Sequence, residues 1–212
     1  MASSVPEANE QRRGGNGRSG RDPYDLTAVL DISVAAFNDF GYEATSMGTL
    51  AERLGTSKSA VYYHVTAKED LLRLALDRAL SHLEAVLAEP GATSGPADDR
   101  LRFVLRGAVR VLVDDLPYVT LLLRLRGNTD VERVALERRR EFDHSVASLV
   151  DEARTTGSLR SDIDARTTTR LLFGMINSIV EWYKPGGQLT CEQLADDVIT
   201  VAFDGLHERS AR

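Results

Sequence analysis

Met47, Leu50, Ala51 and Leu54 fall at i, i+3, i+4 and i+7, and one glycine, Gly55, separates them from a second short run, SKSAVYYH. The first spacing places four apolar side chains on one side of a helix of about two turns. Thr45 or Ser46 caps its start and Gly55 marks its stop. In the second run Val61 and Val65 lie one helical turn apart and face the same small core. The opposite side then shows Ser57, Lys58, Ser59, Tyr62 and Tyr63, with His64 at the end. Two short helices joined by a tight glycine turn form a helix-turn-helix, whose second helix fits the major groove of a duplex.

The chemistry of that second helix agrees with such a use. Small hydroxyls stand at the N-terminus, the part that enters a groove deepest, and longer donors stand toward the flanking phosphates. Tyrosine hydroxyls, histidine and lysine suit phosphate oxygens, and Lys68 opens the next helix, where the backbone itself favours an anion. Ser57, Lys58 and Ser59 are placed to reach base edges. Read singly, each of these residues also fits a partly buried aromatic or a solvated face. Read together, they favour a DNA contact.

The rest of the chain keeps the helical period. From Pro23 onward no run of alternating β-branched residues bounded by hairpin turns occurs, so the expected fold is all-α, with about nine helices. Leu26, Val29, Leu30, Ala36, Phe37 and Phe40 share one face of a first helix. A fourth runs from about Lys68 to Leu87, with Thr66 and Glu69 as its capping box. Residues 89–99 read as a linker from their Pro, Gly and Ser content. Further helices are expected at about 98–114, 116–126, 130–155 (capped by Thr129 and Glu132), 165–183 and 191–206, the last capped by Thr190 and Gln193. The expected organisation is a basic arm over 1–22, a helix-turn-helix unit over 23–67 and a larger helical body over 68–212.

No apolar run spans a bilayer and no signal-peptide segment follows Met1, so a cytoplasmic protein is expected. One cysteine, Cys191, excludes an internal disulfide and a cysteine-cluster zinc site. The net charge of -6 argues mildly against nucleic acid, but the position of the cations counts for more than their sum. Arg12, Arg13, Arg18 and Arg21 sit in the Gly/Ser/Asn-rich start of the chain, either as a solvated tail or as an arm along the DNA backbone. His82 and Glu84 point to different helix faces, Asp143 and His144 form a pair that any charged helix yields, and no nucleotide-binding or hydrolase motif occurs. No catalytic residue, metal or cofactor is expected.

Residues 26–72 resemble the N-terminal DNA-binding domain of the TetR family of bacterial repressors. AAFNDFGYEATSMGTLAERLG and SKSAVYYHVTAKEDLL carry the likeness, through their spacing, the turn glycine, the YYH triplet and the capped Lys-Glu. The chain departs from the family pattern at Val65, where Phe is usual, and at Ser59, where Gly is common. The resemblance implies backbone contact by Thr45, Tyr62, Tyr63, His64 and Lys68, base contact by Ser57, Lys58 and Ser59, and a homodimer on a palindromic double-stranded operator.

In the second half, LLFGMINSIVEW is apolar nearly all round and must be buried in a core or against another chain. Gly174 and Ser178 are small and permit close helix approach. The last helix shows Leu194, Val198, Val201, Ala202 and Leu206 on one side. By family likeness the last two helices build the dimer interface, so Leu171, Gly174, Ser178, Val198, Val201 and Ala202 are its expected residues. VEWYKPGGQLT resembles a turn found in the sub-group that controls fatty-acid, steroid and aromatic-acid breakdown and responds to acyl-CoA thioesters. Such an effector needs an apolar tunnel and several cations. Tyr118, Leu121, Leu122, Phe142, Phe173, Asn177 and Trp182 are the candidates for the tunnel, and Arg124, Arg126, Arg138, Arg139 and Arg140 for the cations. Arg138–Arg140 beside Glu137 and Glu141 read equally as a solvated face. A repressor of an efflux gene sensing a drug-like ligand and an all-α acyl-CoA-handling enzyme are the rival readings.

Overall fold

The computed structural model describes residues 25–205, and the Arg12–Arg21 arm, Leu206 and His207 lie outside them. Among the described residues there are ten helices and no strand. No described helix is long and apolar enough to cross a membrane.

The reader unit begins with α1 (Leu26–Phe40), capped by Asp25 and ended at Gly41, whose φ of 88° is open to glycine at little cost. Helix α2 (Met47–Leu54) starts at Ser46, whose side chain accepts from Thr49 N at 3.1 Å. It stops at Gly55, in the left-handed region at φ 66°, and α3 (Lys58–His64) follows. Leu50, Val61 and Val65 close the small core between them and are all buried. A leucine at such a site is worth about 2–5 kcal/mol against alanine.

Helix α4 (Lys68–Ala88) belongs to both halves, packing on α1 at one end and on the body along the rest. Its cap differs from the expected Thr66–Glu69 box. Ala67 holds the cap position, and Asp70 Oδ2 accepts from the backbone N–H groups of Ala67 at 2.9 Å and Thr66 at 3.1 Å. An alanine has no acceptor, so the carboxylate does the capping alone. Arg73 and these amides hold the Asp70 carboxyl below its ordinary range.

The expected linker contains a short helix, α5 (Pro90–Thr93), with Pro90 in the first turn, where its missing N–H costs nothing. The body continues with α6 (Ala97–Asp114), α7 (Leu116–Leu123), α8 (Asp130–Thr155), α9 (Ala165–Trp182) and α10 (Cys191–Asp204). Thr129 caps α8 by accepting from Glu132 N. The Glu132 carboxylate does not return to Thr129. It is buried and accepts from the backbone N–H groups of Arg126, Gly127 and Asn128, which fixes the turn after α7. Thr190 and Gln193 do form the box expected for α10.

Helix α9 is not apolar all round in its packing. Ile176 and Ile179 are buried, while Leu171 is 63% and Trp182 52% exposed, with Gly174 and Ser178 exposed between them. On α10, Val201 is 42% exposed and Ala202 half-buried. Val198, expected at the dimer face, instead packs into the chain's own core at 6% exposure. The apolar stripe of α10 belongs to the fold, and its outer side carries the exposed residues.

Candidate nucleic-acid interface and effector cleft

Helix α3 turns Val61 inward and leaves Tyr62 51% and Tyr63 84% exposed. The Tyr63 ring stands edge-on to His64, with centroids 5.4 Å apart. Lys58 and Ser59 are exposed, and so is Ser57, but the Ser57 hydroxyl is committed locally. It accepts from Ala60 N at 3.2 Å as the cap of α3 and shares a 2.8 Å hydrogen bond with Ser59. A Cβ at Gly48 would sit 2.9 Å from Lys58 Cε, so the lysine stem lies across α2 where that helix has no side chain.

Two expected contacts change. Thr45 is 1% exposed, and its hydroxyl donates to the Gly41 carbonyl at 2.8 Å, so it secures the turn after α1 and cannot reach a duplex. Ser46 occupies the exposed start of α2 in its place. Lys68 is half-buried: Nζ donates to the Tyr42 carbonyl at 2.7 Å and lies 4.1 Å from the centroid of the Tyr42 ring. It braces α4 against the α1–α2 turn, and the ammonium has further donors beyond that bond.

The reader unit is tied to the body through α7 as well as α4. Asn38 of α1 donates to the Pro117 carbonyl at 2.8 Å and its own carbonyl accepts from Arg124 at 2.9 Å. The Tyr118 hydroxyl donates to Asp31 of α1. Buried Asp115, at the α6–α7 corner, accepts from Arg78 Nε at 2.8 Å and pairs with Nδ1 of His82. Tyr118 and Leu121, expected in a ligand tunnel, and Arg124, expected among its cations, therefore lie at this junction or in the core. Burial and the Asp31 carboxylate push the Tyr118 phenol up from its ordinary range.

A cleft of about 510 Å³ opens between α8 and α9. Arg139, Arg140, Arg166 and Arg170 surround it, with Phe173, Gly174 and Asn177 along one wall. It continues past His144, Ala147 and Arg166 into a second groove toward Asp164. Inward, Arg139, Asp143, Phe173 and Asn177 also border a small apolar void of about 30 Å³ closed by Leu122 and Phe142. Of the expected pocket residues, Phe173 and Asn177 line both spaces, and Leu122 and Phe142 the void. Trp182 lines neither, standing exposed at the far end of α9. Arg138 is engaged elsewhere, with Glu84 and Asp77 of α4. Burial pushes the Asp143 carboxyl up, against the pull of Arg139 and Arg170.

Residues 29–75 match the family model of the bacterial regulatory proteins of the tetR family, and residues 94–206 match the tetracyclin repressor-like C-terminal domain. The chain belongs to the TetR family. A TetR-family regulator of known structure from Streptomyces coelicolor A3 is 50% identical, with a TM-score of 0.81 over 85% of this chain and 91% of that one. The HTH-type transcriptional repressor KstR2 of Rhodococcus jostii is 26% identical over 90% of this chain and 93% of its own length. AibR, solved with isovaleryl coenzyme A and operator DNA, shares the fold at 24% identity, with a TM-score of 0.71 over 84% of this chain and 97% of that one.

Within this TetR-family chain, sequence reasoning missed Ser46 as a surface contact and Asp31, Arg78, Asp115, Arg166 and Arg170 altogether, and it set Asp143 aside as a chance partner of His144. The Ser46 signal was present, since either hydroxyl before Met47 can cap. The others pair or gather only through tertiary packing.

Proposed function

We propose that this TetR-family protein is a dimeric, DNA-binding transcriptional repressor of a palindromic operator, released by a small effector with an anionic head and an apolar group, of the acyl-coenzyme A class. One observation carries the DNA reading: α3 keeps Val61 inside while Lys58, Ser59, Tyr62 and Tyr63 face solvent together. Residues 23–67 act as the reader and residues 68–212 as the sensing and pairing body. Ser46, Tyr62, Tyr63, His64 and Lys68 hold phosphates, and Lys58 and Ser59 approach base edges.

The exposed stripe of Leu171, Gly174, Ser178 and Trp182 with Val201 supports a pairing face. Two copies place their α3 helices one DNA turn apart, about 34 Å. The arginines of the α8–α9 cleft support an effector rich in phosphate, because a guanidinium grips phosphate with two donors. An effector group entering beside Leu122 presses on α7, which holds α1 through Tyr118 and Asn38. Its differential affinity for the two conformers sets the coupling, about 1–3 kcal/mol.

The test is titration of the full-length protein with palindromic and random duplexes at two salt concentrations, without and with butyryl-coenzyme A. The expected result is a steep negative salt slope, preference for one palindrome and release on adding the thioester. Absence of duplex binding at low salt removes the repressor reading. Binding that no thioester relieves removes only the effector class.

A further inference from the structure

The cleft and the inner void share Arg139, Asp143, Phe173 and Asn177, with Phe142 behind them on the void side. Phe142 and Phe173 stand edge-to-face, with centroids 5.7 Å apart and planes at 61°. Phe142 is 4% exposed, fixed in the core, while Phe173 is half-buried and reaches both spaces. Asp143, next to Phe142 on α8, borders both spaces as well. The outer space is wide and ringed by arginines. The inner one, about 30 Å³, has room for roughly one water-sized group.

Resting on the effector reading above, we infer that Phe142, Phe173 and Asp143 form a gauge that selects thioesters of short, uncharged acyl groups, and rejects long chains and chains ending in a carboxylate. The phosphates of such a ligand pair with the arginines, and Arg139, which borders both spaces, marks the path from the charged head to the acyl end. The acyl end then meets the aromatic partition. A two- to four-carbon group lies against the Phe173 ring on the cleft side, at the mouth of the void. A longer chain that follows the same path into the void displaces Phe173 or the Leu122 wall, and close-packed interiors resist such expansion.

Asp143 adds a chemical filter to the steric one. Burial disfavours its charge against the pull of Arg139 and Arg170, and it stands at the border of both spaces. A second carboxylate brought against it at the mouth of the void adds like-charge repulsion. An acyl group without charge meets no such penalty, so discrimination arises from rejection as much as from fit.

Binding to the full-length protein is measured by calorimetry for coenzyme A and its butyryl, octanoyl, palmitoyl and succinyl thioesters. Butyryl-coenzyme A is expected to bind at least tenfold more tightly than the octanoyl, palmitoyl or succinyl forms. Phe173→Ala, with Phe173→Leu as the milder change, narrows the butyryl-to-octanoyl ratio at least fivefold. Asp143→Asn narrows the butyryl-to-succinyl ratio and leaves the octanoyl ratio in place. Octanoyl or palmitoyl binding as tight as butyryl in the unaltered protein overturns the gauge, as do unchanged ratios in the variants. If the protein binds DNA yet none of the five ligands, the effector class falls and the gauge with it, a signature distinct from a reversed order of affinities.

Discussion

The guanidinium of Arg78 lies 4.2 Å from the centroid of the Tyr118 ring, joining α4 to α7 at the point where both meet α1. The same guanidinium bonds to buried Asp115, and the Tyr118 hydroxyl reaches Asp31. One cluster thus ties α1 of the reader unit to both α4 and α7. The junction is more than α4, which packs on both halves. A displacement of α7 reaches α1 directly.

Tyr118→Phe keeps the ring under Arg78 and removes the bond to Asp31. We expect a stability loss of about 1 kcal/mol in urea unfolding. We also expect a smaller ratio between DNA affinities with and without effector. Arg78→Ala leaves Asp115 with His82 alone and costs about 2 kcal/mol. A Tyr118→Phe protein with unchanged effector response would show that α7 does not transmit through this residue.

Much of this architecture is legible in the sequence, because helix ends are written in local chemistry. Gly55 at φ 66°, Ser57 bonded to Ala60 and Thr190 with Gln193 all act within four residues, where spacing fixes geometry. Errors arise where two local solutions compete. Thr66 and Glu69 satisfy the capping pattern, yet Asp70, one residue on, reaches both free amides. The segment after Glu89 reads as a linker because four residues of α5 are too few for a period to show. Val198 illustrates a deeper limit: periodicity gives a face and does not say which molecule covers it. Asp115 and Arg78, thirty-seven residues apart, carry no sequence signal of their pairing.

The reader face predicts a division of roles. Tyr63→Phe and Ser46→Ala should weaken binding to specific and random duplexes by the same factor, since phosphates carry no sequence. Lys58→Ala should change which base is preferred in the operator half-site, by about 1–3 kcal/mol if its ammonium reaches a base edge. A gel-shift panel over single-base operator variants checks both. If Lys58→Ala instead lowers the salt slope by roughly 0.9 with preference intact, the lysine serves a phosphate, as its path over Gly48 would also permit.

The pairing face yields a prediction through Gly174. A Cβ there meets nothing within 4 Å in one chain, so intrachain sterics do not require the glycine. In an isolated subunit Gly174→Ala should stabilise by up to about 1 kcal/mol through helix propensity. In a dimer packed closely along α9, Gly174→Leu should dissociate the pair while leaving the helical signal intact. Leu171→Lys, at an exposed apolar site on the same stripe, should act likewise. Sedimentation at several concentrations separates the outcomes, and a fully dimeric Gly174→Leu protein would move the interface off this face.

Asp143 supplies a pH dependence whose sign can be worked out. Its folded carboxyl is raised above the ordinary 3.8 by burial, against Arg139 on its own helix and Arg170 from α9. His144, beside it in the cleft, is exposed. Well below pH 3.8 the group is protonated in both folded and unfolded chains, and its contribution to folding is fully present. As pH rises from there, the unfolded chain ionises first while the folded one still holds the proton, so stability falls until pH passes the folded value. An asparagine has no such transition. Asp143→Asn should therefore lie nearest the unaltered protein at pH 3.5 and exceed it in melting temperature by a gap that widens as pH rises and then levels off. Ligand-free thermal melts at matched ionic strength from pH 3.5 to 7 measure that gap. A variant that loses stability relative to the parent as pH rises would mean that the two arginines outweigh burial, and that the charged form is the one the cleft is built to hold.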